Sequence, residues 1–282
     1  MQKIIAALVL GAGACSGTDS ELPEAELSPE LVSSTPALGA ERVYPAPLWN
    51  GKGEEVAIAL TFSEPMNLEE ELALEASDHT RSVAAVDWSD DRTELTLFVR
   101  GDFSMTRPLA DETEYWLDLS SLVSDSGAPL AANAGLVDRT LTFTTGRYDA
   151  LLNHACGHTF FGPFGSVAAS ASGDLTAPDI STTHVQYSVA LREQDAQFGG
   201  WLRAKFPGER PYRLYFDAET QISMTRSEGQ AEELALEPTP PACPGITHEV
   251  TLTDVADSDV FFFVGPEEVT MRRVIVELVP EP

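Results

Sequence analysis

Lysine is nearly missing from this chain: Lys3, Lys52 and Lys205 are the only three in 282 residues. Arginine brings the basic total to 17 against 45 acidic residues, a formal net charge of −28. So few cations exclude nucleic acid as a partner, because phosphates need a clustered basic surface, and exclude electrostatic adhesion to anionic headgroups. Ready-made catalytic signatures are missing too. There is no Cys-x-x-Cys, His-Glu-x-x-His, Gly-x-Ser-x-Gly, phosphate-binding or dinucleotide-binding glycine loop, and no EF-hand loop. Asp254, Asp257 and Asp259 are too weak a set for a Ca²⁺ loop and read as a solvated turn.

What is present begins at the N-terminus. Lys3 precedes the apolar run Ile4–Leu10, the small residues Gly11-Ala12-Gly13-Ala14 and then Cys15. The apolar run is too short to span a hydrocarbon core of ~30 Å, so residues 1–14 read as a cleavable signal peptide rather than an anchor. The segment ending at Cys15 resembles the bacterial lipobox, with Ala12 where that motif more often has Leu. The resemblance implies a lipid on Cys15, and Ser16 behind it favours the outer membrane or cell surface; the alternative is ordinary cleavage with Cys15 unmodified. Residues 15–41, rich in Glu, Ser, Pro and Ala, read as a lipidated terminus and flexible acidic tether.

Length and a 43% apolar fraction suit two globular domains. In residues 42–146 Val56–Phe62 places its larger apolar residues two apart, as a half-buried strand requires, and Val83–Trp88, Glu94–Val99, Glu114–Leu119 and Arg139–Thr144 suggest further strands, with turns such as Asp125-Ser126-Gly127 between them. The ordered series Phe62-Ser63-Glu64-Pro65-Met66-Asn67, Leu95-Thr96-Leu97, Tyr115, Val123–Gly127 and Leu141–Gly146 resembles the bacterial Ig-like domain of the SbsA type. That resemblance implies a β-sandwich that spaces or presents other domains and brings no catalytic residues.

Residues 147–282 are also strand-like, with Val185–Leu191, Tyr212–Phe216, His248–Leu252, Val260–Val264 and Val274–Val279 as the clearest segments. The expected fold is therefore all-β: two consecutive β-sandwich domains, the second a sandwich or jelly roll. Its strand order is loosely similar to the pre-peptidase C-terminal type of secreted β domain, which supplies no site.

With Cys15 set aside, Cys156 and Cys243 form an even pair, and in an oxidising compartment they predict a disulfide. The competing role for the two is thiolate ligation of a metal. Four of the five histidines lie in this second domain: His154, His158, His184 and His248. The disulfide would carry the segment of His158 toward that of His248, so His158, His184 and His248 are the expected metal ligands, with His154 in reserve. Three neutral imidazoles suit zinc or copper. Three functions follow. The first is a non-enzymatic, lipid-anchored envelope protein whose Ig-like spacer presents a domain that grips a protein or glycan. The second is a zinc- or copper-binding envelope protein. The third is a secreted hydrolase with an unrecognised site.

Overall fold

The computed structural model describes residues 28–46, 55–77, 81–100, 109–132, 136–226 and 229–280. The segment that reads as a signal peptide, residues 1–14, and Cys15 lie outside these residues.

The first region runs β1 (Leu31–Thr35), β2 (Ala40–Val43), β3 (Glu55–Phe62), β4 (Met66–Leu68), β5 (Ala73–Ala76), β6 (Arg81–Trp88), β7 (Glu94–Arg100), β8 (Glu114–Asp118), β9 (Leu122–Ser124) and β10 (Thr140–Thr145). Eight of these form one folded sheet in the order β1-β3-β7-β6-β5-β8-β10-β2. β6 joins the two halves: Arg81, Ser82 and Val83 pair with β5, and Ala84–Trp88 pair with β7. The halves close on each other because alternate residues point inward. Ile58, Leu60, Leu95 and Leu97 from one half share a buried cluster with Leu74, Leu117, Leu141 and Phe143 from the other. Trp88, half-buried, packs its ring near Phe62.

Two segments depart from the sequence expectation. Residues 31–35 and 40–43 are not tether but strands: β1 pairs antiparallel with β3, and β2 pairs parallel with β10. Short, weakly apolar and close to prolines, they resemble a linker because both sit at the ends of the sheet, where much of each strand's surface meets water.

The second departure is a helix, α1 (Ala150–Phe161), in what reads as a strand-only region. Asp149 caps it, its carboxylate accepting from the backbone N–H of Leu151 and Leu152, and Gly162 closes it at φ 70°. Beyond α1 come β11 (Phe164–Ala168), β12 (Val185–Ala190), β13 (Arg192–Gln194), β14 (Gln197–Lys205), β15 (Tyr212–Phe216), β16 (Ile222–Arg226), β17 (Glu232–Glu233), β18 (Glu237–Pro238), β19 (His248–Leu252), β20 (Asp259–Glu267) and β21 (Met271–Leu278).

These strands make a six-stranded sheet, β11-β12-β21-β15-β19-β18, and a five-stranded sheet, β13-β14-β20-β16-β17. Val189, Leu214, Val274 and Val276 of the first sheet bury against Leu202, Met224, Val260, Phe262 and Val264 of the second. Neither sheet closes into a barrel, and the pair is a second β-sandwich region. The other face of the six-stranded sheet is covered by α1, whose Leu151, Leu152, Ala155 and Cys156 pack on Tyr215 and Ile275. Cys156 is bonded to Cys243, tying α1 to the loop before β19 across 87 residues of sequence. In the chain-entropy account a loop of that length stabilises by about 4 kcal/mol. The same buried cluster takes in Tyr44 and Ala46 from the end of the first region.

Candidate metal centre

Strand parity decides which side chains meet α1. On β21, Val274 and Val276 face the sandwich core, so Ile275 and Glu277 face the helix. Glu277 is a carboxylate in an otherwise apolar stretch, and its side chain is 0% exposed. Beside it, His184 stands one residue before β12, held by its N–H to the carbonyl of Val276. Its φ of 63° is uncommon outside glycine and turns the imidazole onto Glu277, with Nδ1 2.7 Å from Oε2.

From above, α1 contributes His154 and His158. Four residues apart on a helix, they lie on one face a single turn apart. His154 Nδ1 is 3.4 Å from Glu277 Oε2, and His158 Nε2 is 3.5 Å from Oε1. One donor atom from each of the four residues lies within 4.8 Å of every other. For bonds of ~2.0 Å around a tetrahedral zinc ion, neighbouring donors stand about 3.3 Å apart, close to the distances of His154 and His158 from Glu277, and the wider donor pairs would draw in around the ion.

The tautomer of His158 suits a ligand. His158 Nδ1 lies 2.7 Å from the carbonyl oxygen of Gly162, which can only accept, so Nδ1 carries the hydrogen and Nε2 presents a lone pair. Nε2 of His158 and both carboxylate oxygens of Glu277 are buried and make no hydrogen bond among the described residues, although His184 Nδ1 stands close to Oε2. Buried lone pairs converging in this way are costly unless a cation or a proton sits among them. Burial raises the Glu277 pKa to about 7, a rise offset in part by His158. Burial, with repulsion from His158 and His184, lowers that of His154.

The ends of α1 are fixed independently. Arg213 on β15 bonds Asp149 at 2.6 Å and lies 3.5 Å from Glu249. The phenol of Tyr44 donates to the carbonyl of Asp149 at 2.6 Å. Although Arg213 pairs in register with Glu277 across β15 and β21, its guanidinium is drawn to the helix cap and leaves the carboxylate to the histidines.

Of the ligands expected from sequence, His158 and His184 meet here and the reserve, His154, joins them. His248 does not. It pairs with Phe216, which pairs with Val274, a core residue, so His248 begins β19 on the opposite face from Glu277, and β15 lies between the two strands. Its Nδ1 contacts Thr247 Oγ1 at 2.9 Å. The fourth member, Glu277, is the residue that histidine spacing misses. Its sequence signal is a lone acidic residue in Val274-Ile275-Val276-Glu277-Leu278-Val279. Cys156 and Cys243 are joined in the disulfide, so neither is a thiolate ligand.

Residues 25–145 match the family of bacterial Ig-like domains termed Big_5, so the first region is an Ig-like domain. No curated protein matches the chain. Among solved structures, similarity is found to a pullulanase from Anoxybacillus sp. LM18-11, at 8% identity and a TM-score of 0.21, covering 81% of this chain and 24% of that one. An α-L-rhamnosidase of Streptomyces avermitilis aligns at 11% identity and a TM-score of 0.21, covering 89% and 23%. A Cry1Da tryptic core variant from Bacillus thuringiensis aligns at 11% and 0.23, covering 90% and 53%. This chain thus spans about a quarter of the length of the two enzymes, and TM-scores this low carry no argument about its activity.

Proposed function

We propose that this protein is an exported, lipid-anchored metal-binding protein in which the Ig-like domain spaces a second β-sandwich carrying a zinc(II) or copper(II) site. The observation that carries this is the convergence of His158 Nε2 and the Glu277 carboxylate, buried and without hydrogen-bond partners, with His154 and His184 alongside. Three imidazoles and one carboxylate suit zinc(II) and copper(II); the lack of sulfur donors disfavours copper(I). A divalent ion would cancel the Glu277 charge and leave the site at one net positive charge. His154 and His184, 51% and 50% exposed, form its outer side, and Glu277 and His158, 0% and 13% exposed, its floor. Such an ion is reached from solvent and held from within. Export and anchoring rest on the Lys3 to Cys15 order of the N-terminus, and address the site to the cell envelope.

The test is elemental analysis of protein purified without a histidine tag from zinc- and copper-replete medium. One equivalent of metal per chain is expected, and less than a tenth of that from Glu277→Gln or His158→Ala. Equal metal content in wild type and both variants would overturn the assignment.

A further inference from the structure

The disulfide and the four-residue cluster grip the same turn of α1. Cys156 lies two residues after His154 and two before His158. At 100° per residue it projects about 160° away from each of them, so the bond to Cys243 holds one side of the helix while the ligands occupy the other. What this bond fixes is the roll of α1 about its axis. Side chains reach about 5–6 Å from a helix axis, so a roll of about 10° moves an imidazole tip by about 1 Å, twice the tolerance of about 0.5 Å for a preorganised site. The partner loop is seated closely: a methyl on Gly245 would stand 2.8 Å from Thr159 Cγ2, and Ile246 and Ala242 are buried against the helix. The same geometry prevents a freed Cys156 thiol from replacing a lost ligand, because it faces the sheet and Cys243 rather than the histidines.

Building on the metal-site assignment, we infer that the Cys156–Cys243 disulfide is a redox control on metal affinity: reduction loosens α1 and releases the ion. A dithiol donates two electrons and two protons, the Cys156–Cys243 bond breaks to two thiols, and the dithiol closes to a cyclic disulfide. The coupling is reciprocal, so a bound ion also protects the disulfide. Both sulfurs are in buried residues, and a reductant reaches them only when α1 or the loop opens. An ion pinning α1 opposes that opening.

The experiment uses the full chain and zinc(II) in competition with a chromophoric chelator. A phosphine serves as reductant, taking up oxygen from water as the disulfide becomes two thiols, because dithiols themselves bind zinc. Oxidised protein is expected to bind at least about tenfold more tightly than phosphine-reduced protein or Cys156→Ser/Cys243→Ser, the scale of outer-shell support at metal sites. A second measurement starts from folded, oxidised protein: zinc is expected to slow phosphine reduction at least about fivefold in wild type and not at all in Glu277→Gln. Equal affinity in both redox states, or a reduction rate indifferent to zinc, would overturn the coupling and leave the metal site standing. Failure of oxidised protein to bind zinc or copper would overturn the metal assignment and the coupling with it.

Discussion

His158 and Gly162 hold each other: the N–H of Gly162 donates to the His158 carbonyl at 3.1 Å, and His158 Nδ1 donates to the Gly162 carbonyl at 2.7 Å. Helix termination and ligand tautomer are thus one interaction. Substituting Gly162→Ala puts a methyl 2.9 Å from the Phe164 ring at φ 70°. The expected result is a loss of about 1–2 kcal/mol in stability and about tenfold in zinc affinity with all four donors still present, read by urea midpoint and by chelator competition.

Metal-free protein is expected to lose stability as pH rises. Glu277 has its pKa raised from 4.5 to about 7, so between those values the folded state keeps a proton the unfolded state has released. Stability is lost through that window and levels off above it, by roughly 3 kcal/mol for a shift of this size. Chelator-treated wild type should therefore show a Tm falling relative to Glu277→Gln from pH 4.5 to 7.5. Zinc should reverse the wild-type deficit above pH 7, because it binds wild type and not Glu277→Gln and favours the carboxylate.

Asp149 accepts from Leu151, Leu152 and Arg213, and Asp149→Ala removes all three bonds. A cap is worth about 1 kcal/mol and the stranded guanidinium adds to the loss, so we expect about 2 kcal/mol by denaturant titration. Asp149→Asn keeps the capping oxygen and should recover about half.

The approach of Gly245 to Thr159 predicts that Gly245→Ala pushes the loop off α1. The Cβ meets Thr159 Cγ2 at 2.8 Å and Cβ at 2.9 Å, and overpacking of this kind costs about 1–3 kcal/mol. Thr159→Ser removes the methyl at Cγ2 and should restore part of the loss, measured as Tm in the double variant.

Much of this was legible in the residues themselves. The strand-like segments at Glu94–Val99 and Arg139–Thr144 are strands within a residue or so of their ends, Thr140–Thr144 alternating strictly, and the series from Phe62 to Gly146 marks the Ig-like domain. The disulfide followed from two cysteines left as a pair. The helix was less visible because apolar residues are not confined to its buried side: Phe161 is exposed while Leu151, Leu152 and Ala155 are buried. Its punctuation was present nonetheless, in Asp149 before an apolar run and Gly162-Pro163 after it. Once the segment is helical, His154 and His158 must share a face.

His248 and Glu277 exchange places for one physical reason, the two-residue period of a strand. Nearness to Cys243 in sequence suggested that His248 would follow the disulfide into the site. Parity puts His248 on one face of the sheet and Glu249 on the other, beside Arg213. Which face of a strand meets a helix is a property of the assembled sheet and cannot be counted along the chain.

Tyr44 gives the junction between the two regions a different character from that of interchangeable modules. Its ring is fully buried, with Ala46 beside it, in a cluster otherwise built from residues beyond position 147, stacked near Tyr148 and bonded to Asp149. A fragment begun at Arg147 would therefore leave behind a piece of its own interior, with an aromatic slot open to water and the Asp149 carbonyl left with only its helical bond from Asn153. The place where the chain divides by family resemblance is not the place where it can be cut.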